Sequence, residues 1–389
     1  MWNVYRPSSG VLMKRISIIL FLLFLLAGCS APVPMPEQTD PPPTQPQLSE
    51  VSTEVATEPE TTPTMPAEIP LGDSFFSADY DQPVTVTDPD LTQLFENLPL
   101  LPRISQVRLT GILPGTPELI RLKEAFPAIT FIWEFDFLGV PVTSLTQSID
   151  LSGTPLADTA ELDALLPCFY QLEQVDLCDC GLSDDVMGAL NERYPDTDFI
   201  WKVKIGKLTT RTDALYFMPS KYHVPWMRQE QTVNLKYLTK LQFLDLGHYV
   251  GISDLSFLHH MPDLKILSLN SSTASDLSPI ASCQKLEFLE LFLATGTDLW
   301  PLTNCTSLKN LNISYMPYWD PLPIHQMTWL DRLWVAGSKL SQEERTALQE
   351  ALPHTIMVFR SDSSTDKGWR YSPNYYEGRD LTQMKYMIK

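Results

Sequence analysis

The side chains able to do chemistry are numerous, but their spacing assembles no familiar reaction centre. His259-His260 is the one histidine pair, and it precedes Met261-Pro262 in a loop between strands, where it reads as a surface or helix-end feature. Six histidines in 389 residues offer no ligand set at a recognised metal spacing. Cys178-Asp179-Cys180 places one residue between its thiols, which is not the Cys-x-x-Cys redox arrangement. The chain contains no glycine-rich phosphate loop, His-Glu-x-x-His or Gly-x-Ser-x-Gly segment. Its 47 carboxylates include no pair of defined geometry, so an extracellular hydrolase acting on cell wall or polysaccharide is only the alternative reading. The expectation is a binding protein with no catalysis, no metal and no cofactor.

The remaining thiols read as core residues. Cys283 and Cys305 are 22 residues apart, and Cys168 is isolated in sequence. If residues 22 apart occupy equivalent places in stacked units, a Cys283–Cys305 disulfide is an open alternative to two buried thiols, because neighbouring strands lie about 5 Å apart.

Charge narrows the partners. A formal charge of −19 disfavours nucleic acid, whose phosphates need Lys and Arg, and disfavours electrostatic attachment to anionic lipid. Membrane association then needs an anchor, and the N-terminus supplies one. Lys14-Arg15 precede an apolar run, Ile16 to Leu26, broken only by Ser17, and Leu26-Ala27-Gly28-Cys29 follows. The run is short for a transmembrane helix and has the layout of a cleaved signal. Its Leu-Ala-Gly-Cys end resembles the bacterial lipobox. That resemblance implies removal of residues 1–28, diacylation of the Cys29 thiol and attachment to the extracellular face of a bacterial membrane. Met13 is a plausible start. Cleavage removes Arg6, Lys14 and Arg15 and no acid, giving 25 − 47 = −22 for the mature chain. Residues 29–70 then form a lipid-anchored linker. Ala31 to Pro70 holds eleven prolines and no Lys or Arg, a composition that stays extended instead of burying a core.

The rest is organised by internal repetition. Leu-x-x-Leu-x-Leu recurs as Leu241/Leu244/Leu246, Leu264/Leu267/Leu269, Leu286/Leu289/Leu291, Leu308/Leu311/Ile313 and Leu330/Leu333/Val335. The same step carries Asp254, Asp276, Asp298 and Asp320, and Leu258, Ile280, Leu302 and Ile324. Apolar residues two apart share one face of a short strand, one unit cannot cover that face, and stacking resolves the conflict by pairing the strands in parallel. The Asp row reads as caps on short helical turns, with calcium ligation the weaker alternative for want of clustered oxygens. This pattern resembles the 22-residue, internalin-like leucine-rich repeat, and covers about residues 235–340. It departs from the family at position 9, usually Asn, where this chain has Tyr249, Ser272, Ala294, Met316 and Ser338. A longer repeat flanks it: Ile104–Phe135 aligns without gaps on Leu172–Val203, and Leu330–Phe359 is a third copy. Each copy reads strand, capped helix, Pro turn and apolar strand, and resembles the longer, helix-containing repeats. There Cys180 takes position 9, which the family fills with Asn or a buried Cys.

The implied fold is an α/β leucine-rich-repeat solenoid, a curved parallel sheet with helices and short turns on the convex side. Long repeats fill 71–234, short repeats 235–329, a capping repeat 330–360, and a polar, aromatic tail 361–389 either packs over the last repeat, as its aromatics favour, or stays a flexible tail. One continuous array over roughly 83–360 is expected. Positions 3, 5 and 7 of each unit point to the concave side. The candidate ligand-binding residues there are Phe243, Asp245, Phe288, Glu290, Phe292, Arg332 and Trp334, with Tyr315, Tyr318 and Trp319 at the loop edge. So many apolar side chains on one face suit recognition of a protein, peptide or glycan. The alternative is that other parts of the chain or a second copy cover them. A transporter's solute-capturing lipoprotein fits less well, since that role wants a two-lobed cleft.

Overall fold

The five Leu-x-x-Leu-x-Leu segments do line up side by side. In the computed structural model, which describes residues 68–219 and 227–360 within the compact unit Pro63–Lys389, they become β13 (Phe243–Asp245), β14 (Ile266–Ser268), β15 (Phe288–Glu290), β16 (Asn310–Asn312) and β17 (Arg332–Trp334). All pair in parallel, with Leu244, Leu267, Leu289, Leu311 and Leu333 in one register row. β12 (Tyr216–Phe217) and β18 (Ile356–Val358) complete the seven-stranded sheet at its two edges. The leucine row is buried throughout, as are Leu241, Leu264, Leu286, Leu308 and Leu330 one turn earlier. This is an α/β leucine-rich-repeat solenoid. The signal segment, Cys29, nearly all of the linker and the tail 361–389 lie outside the described residues.

Each return turn is set by its aspartate. Asp254, Asp276, Asp298 and Asp320 accept hydrogen bonds from the backbone N–H two residues on, at 2.8, 2.8, 2.9 and 2.9 Å. Asp90 and Asp158 do the same in the long units at 2.9 Å. This satisfies an otherwise orphaned donor at a helical start. The position-9 side chains Tyr249, Ser272, Ala294 and Met316 are buried in place of an asparagine ladder. Backbone bonds carry the stacking there instead: His248 N–H donates to Asn270 O, Ser271 to Phe292 O, Leu293 to Ser314 O and Tyr315 to Ala336 O, all within 3.0 Å. Those four donors have positive φ, and the row extends to Gly111, Gly153 and Asp179 in the long units and to Gly337 at the end. Gly111 also needs its missing side chain, because a Cβ there would meet Asp88 Oδ1 at 1.8 Å.

The N-terminal half departs from a single continuous sheet. β1 (Ile69–Leu71) and β2 (Ser74–Phe76) form a hairpin. β3 (Val84–Thr87), α1 (Leu91–Asn97), β4 (Gln106–Thr110), α2 (Pro117–Ala125) and β5 (Thr130–Phe137) then build a first parallel stack. The distal half of β5 runs past β4 and folds back antiparallel onto β6 (Val140–Thr143). β7 (Ser148–Asp150), α3 (Ala160–Leu165), β8 (Gln174–Asp176), α4 (Asp184–Arg193) and β9 (Asp198–Ile200) form a second stack, followed by the hairpin β10 (Lys202–Ile205) and β11 (Leu208–Arg211). The described parallel strands therefore fall into three sheets, not one, and each hairpin interrupts the ladder by redirecting the strand that would have paired onward. The two interruptions are copies. Ser144 and Thr212, 68 apart, are both buried, and their backbones donate to Trp133 O and Trp201 O at 3.0 and 2.9 Å. α5 (Leu322–His325) and α6 (Gln342–Ala351) close the last units, α6 through a capping box in which Ser341 and Glu344 exchange hydrogen bonds.

All five described cysteines are free and buried. Cys283 Sγ and Cys305 Sγ lie 3.7 and 3.6 Å from carbonyls of the preceding repeat, Leu258 O and Ile280 O, so the disulfide alternative does not hold. Burial pushes the two thiols up to about 12 and about 11.

Candidate functional site: the outer face of the seven-stranded sheet

Strand side chains alternate, so the face opposite the leucines carries ordered rows. The first row is Phe243, Ile266, Phe288, Asn310, Arg332 and Ile356; the second is Asp245, Ser268, Glu290, Asn312, Trp334 and Val358. Gly247, Asn270, Phe292, Ser314 and Ala336 follow just beyond the strands.

The expected exposure of this face is corrected by the structure. Phe243 and Phe288 are 0% exposed, Glu290 1% and Trp334 2%, and Ile266, Ser268, Asn270, Asn310 and Asn312 are buried too. Phe243, Ile266, Phe288 and Trp334 form a second apolar cluster with Met218, separate from the leucine core, and Tyr216 and Val358 pack on it. Ligand access to these side chains thus requires something to move. The physical reason is general: alternation fixes which face a side chain takes, whereas burial depends on what lies over that face.

At the centre of the second row, the Glu290 carboxylate accepts hydrogen bonds from Ser268 Oγ at 2.9 Å and Asn270 Nδ2 at 3.1 Å. Ser271 Oγ in turn donates to Asn270 Oδ1 at 2.7 Å, which orients the amide. Gly247 leaves room for this group, since a Cβ there would approach Asp245 Oδ1 at 2.9 Å and Ser268 Oγ at 3.2 Å. Ser268 and Asn270 thus fix the buried carboxylate in place through two hydrogen bonds.

The other predicted residues separate into different roles. Asp245 accepts from Gly247 N–H at 2.8 Å and so ends its strand in a turn. Asp150, Asp176 and Asn312 occupy the same position and accept from the N–H two residues on at 2.9, 2.9 and 3.0 Å. Phe292 is half-buried against Tyr315, ring centroids 5.2 Å apart. Arg332 is half-buried in the first row beside Asn310 and Ile356. The structure therefore unites Phe243, Phe288 and Trp334 in one cluster and sets Glu290 beside it. Ile266, Ser268 and Asn270 are essential to that arrangement but were not singled out from sequence, although they stand in the same rows. Met218 carried no periodic signal, because it enters from β12, outside the short repeats.

Two further places bear chemistry. On the second stack, Asp176 accepts from Arg211 Nη1 at 2.7 Å, and Arg211 Nε also reaches Asp213 at 2.9 Å. Burial opposes ionisation of Asp176, but hydrogen bonds from Cys178 and Arg211 outweigh it and hold the carboxyl below its usual value. Burial and the Asp176 charge push the adjacent Cys178 thiol up to about 12, the reverse of what a nucleophilic thiol needs. At the loop edge, Tyr318, Trp319, Asp320, Lys339 and Glu344 line an open groove of about 520 Å³. Lys339 Nζ lies 3.0 Å from Tyr318 Oη and 4.2 Å from its ring, lowering the phenol from its usual value. His259 and His260 end a 3-10 turn, the helix-end place expected of them. Among the described residues no group of three His, Cys, Asp or Glu is arranged to hold a metal ion.

No protein-family profile and no curated protein matches the chain. Among solved structures it is similar to internalin C2 of Listeria monocytogenes, at 19% identity over 58% of this chain and 75% of that one, with a TM-score of 0.30. A second Listeria monocytogenes internalin, inlF, is 18% identical over 71% of this chain and 66% of that one, with a TM-score of 0.33. A leucine-rich-repeat protein of Leptospira interrogans is 16% identical over 67% and 74%, with a TM-score of 0.32.

Proposed function

We propose that this chain is a binding module, held by lipid on Cys29 at the extracellular face of a bacterial membrane, whose ligand is a polypeptide received on the outer face of the seven-stranded sheet. The observation that carries this reading is Glu290, a carboxylate 1% exposed, fixed by Ser268 and Asn270 and bordered by an apolar row. An idle sheet face is wetted and carries scattered polar residues. This one sets a buried apolar row beside a buried, hydrogen-bonded carboxylate, the mix of apolar and charged groups that recognition of an amphipathic segment uses. The anchor rests on the basic pair Lys14-Arg15, the apolar run and the Leu26-Ala27-Gly28-Cys29 end, and the proline-rich linker holds the module off the bilayer.

Cross-linking on intact cells, with mass spectrometry of captured polypeptides, tests the reading. Capture by the wild type should fall in Glu290→Ala, provided circular dichroism shows the fold retained, and persist in Glu118→Ala on α2. Equal capture by a folded Glu290→Ala protein refutes the site. Cys29→Ser should move the protein from the membrane fraction to the medium, and retention in the membrane fraction refutes the anchor.

A further inference from the structure

The turn that starts each return path is built alike in four successive short units, yet one of them carries side chains that the turn does not need. The two residues before the capping aspartate are Ile252-Ser253, Ala274-Ser275, Gly296-Thr297 and then Tyr318-Trp319. In the first three units the leading residue is buried, whereas Tyr318 is 66% exposed. The cap itself is unchanged, since Asp320 accepts from Leu322 N–H at 2.9 Å and Asp298 from Trp300 N–H at 2.9 Å. The two large rings therefore serve no need of the turn, and they leave apolar surface in water. Both line the groove of about 520 Å³ at the loop edge, within the range of roughly 300–1,000 Å³ that small-ligand sites occupy.

We infer that this groove binds a neutral glycan, a β-linked hexose chain whose rings stack on Tyr318 and Trp319, at a site separate from the outer sheet face. A pyranose ring of the gluco type turns C–H bonds toward its two flat faces and carries hydroxyls around its rim. The C–H faces suit the electron-rich face of an aromatic ring, and the rim needs hydrogen-bonding groups beside that ring. Asp320, Glu344, Lys339 and Thr297 line the groove next to the two aromatics and supply them. Charge selects a neutral ligand. Two carboxylates and one ammonium share the groove, so an anion meets the carboxylates and a cation meets the lysine. Hydroxyls accommodate both, donating to the carboxylates and accepting from the ammonium. The polar groups are also held in place beforehand. Asp320 Oδ1 is engaged by its cap bond and Glu344 Oε2 by Ser341 N–H at 2.7 Å, which leaves each carboxylate its second oxygen. Lys339 is held against Tyr318, and Trp319 packs on the leucine core. Pro317 fixes the backbone just before the rings. Binding then immobilises few side chains that were free before.

Calorimetric titration of the full chain with cellohexaose and with chitohexaose, two neutral β-linked probes, tests the inference. A galacturonic acid hexamer and a lysine hexamer serve as charged comparisons. At least one neutral hexamer should bind, and both charged hexamers should bind more weakly by roughly ten-fold or more. Tyr318→Ser and Trp319→Ala should each weaken binding by about ten-fold, the scale of losing one ring contact. Tyr318→Ser removes only an exposed ring, so the site remains testable if Trp319→Ala fails to fold. Asp320→Asn combined with Glu344→Gln keeps an acceptor for each cap and should also weaken binding by about ten-fold, because hydrogen bonds to carboxylates are the stronger ones. Trp300→Ala, which removes an exposed tryptophan that does not line the groove, should leave the affinity unchanged. So should a folded Glu290→Ala protein, which separates this site from the sheet face. Failure of both neutral hexamers to bind overturns the inference, as does tighter binding of either charged hexamer. Undiminished binding by a folded Tyr318→Ser protein overturns it too.

Discussion

Two tryptophans 68 residues apart, 201 − 133, give an internal experiment on a buried hydrogen bond. Trp201 Nε1 donates to Asp184 Oδ1 at 3.0 Å, and Asp184 Oδ2 also accepts from Asn234 Nδ2 at 2.8 Å. Trp133 occupies the same place in the first long unit and is 1% exposed, yet its indole N–H has no partner among the described residues. The position matching Asp184 is Thr116, since 184 − 68 = 116, and Thr116 is an N-cap without a side-chain cap bond. A hydrogen bond to a charged group contributes about 1.5–3 kcal/mol, and an orphaned buried donor costs about 1–3 kcal/mol. Asp184 is partly exposed, so Asp184→Ala should cost about 2 kcal/mol instead of the full sum. Thr116→Asp should gain about 1 kcal/mol by giving the Trp133 indole an acceptor. Urea unfolding with unchanged slope would measure both, with exposed Asp196→Ala as control, and indole N–H exchange by NMR would localise each effect. A Thr116→Asp protein with a lower midpoint and unaltered Trp133 exchange would refute the argument, as would an Asp184→Ala cost no larger than that of Asp196→Ala.

Other expectations follow from the same structure. Leu289→Ala, in the middle of the leucine row, should destabilise by about 3–5 kcal/mol in equilibrium unfolding, because stacked neighbours on both sides cannot collapse into the cavity. Cys283 and Cys305 should resist alkylation at pH 8 in the native protein and react only on denaturation, as peptide mass spectrometry would show. Their raised values mean that the stability they contribute is whole below the unfolded thiol range near 8.5 and is lost as pH climbs toward 11–12. For Asp163, burial works against ionisation, but hydrogen bonds from Thr159, Tyr194 and Arg193 prevail and lower its carboxyl. The stability it adds is present above about pH 4 and fades as pH falls, so the wild-type advantage over Asp163→Asn should shrink in acid unfolding midpoints. Gly111→Ala should lower thermal stability, since it combines positive φ with the Asp88 clash.

Sequence alone determined the parts of this protein that repeat. A fixed step puts Leu244, Leu267, Leu289 and Leu311 in equivalent surroundings, so one local solution, strand then capped turn, recurs and register follows. The aspartate caps were legible for the same reason. Where the chain stops repeating, local pattern lost its hold. The hairpins that cut the expected single sheet into three turn at Leu138-Gly139 and Gly206-Lys207, a local signal that the repeat period does not carry, and a strand's partner is chosen by the edge offered to it. The outer face was legible as rows but not as a buried layer. Alternation places Phe288 and Glu290 on that face, whereas solvent exposure is a property of the folded assembly of segments, not of any one of them.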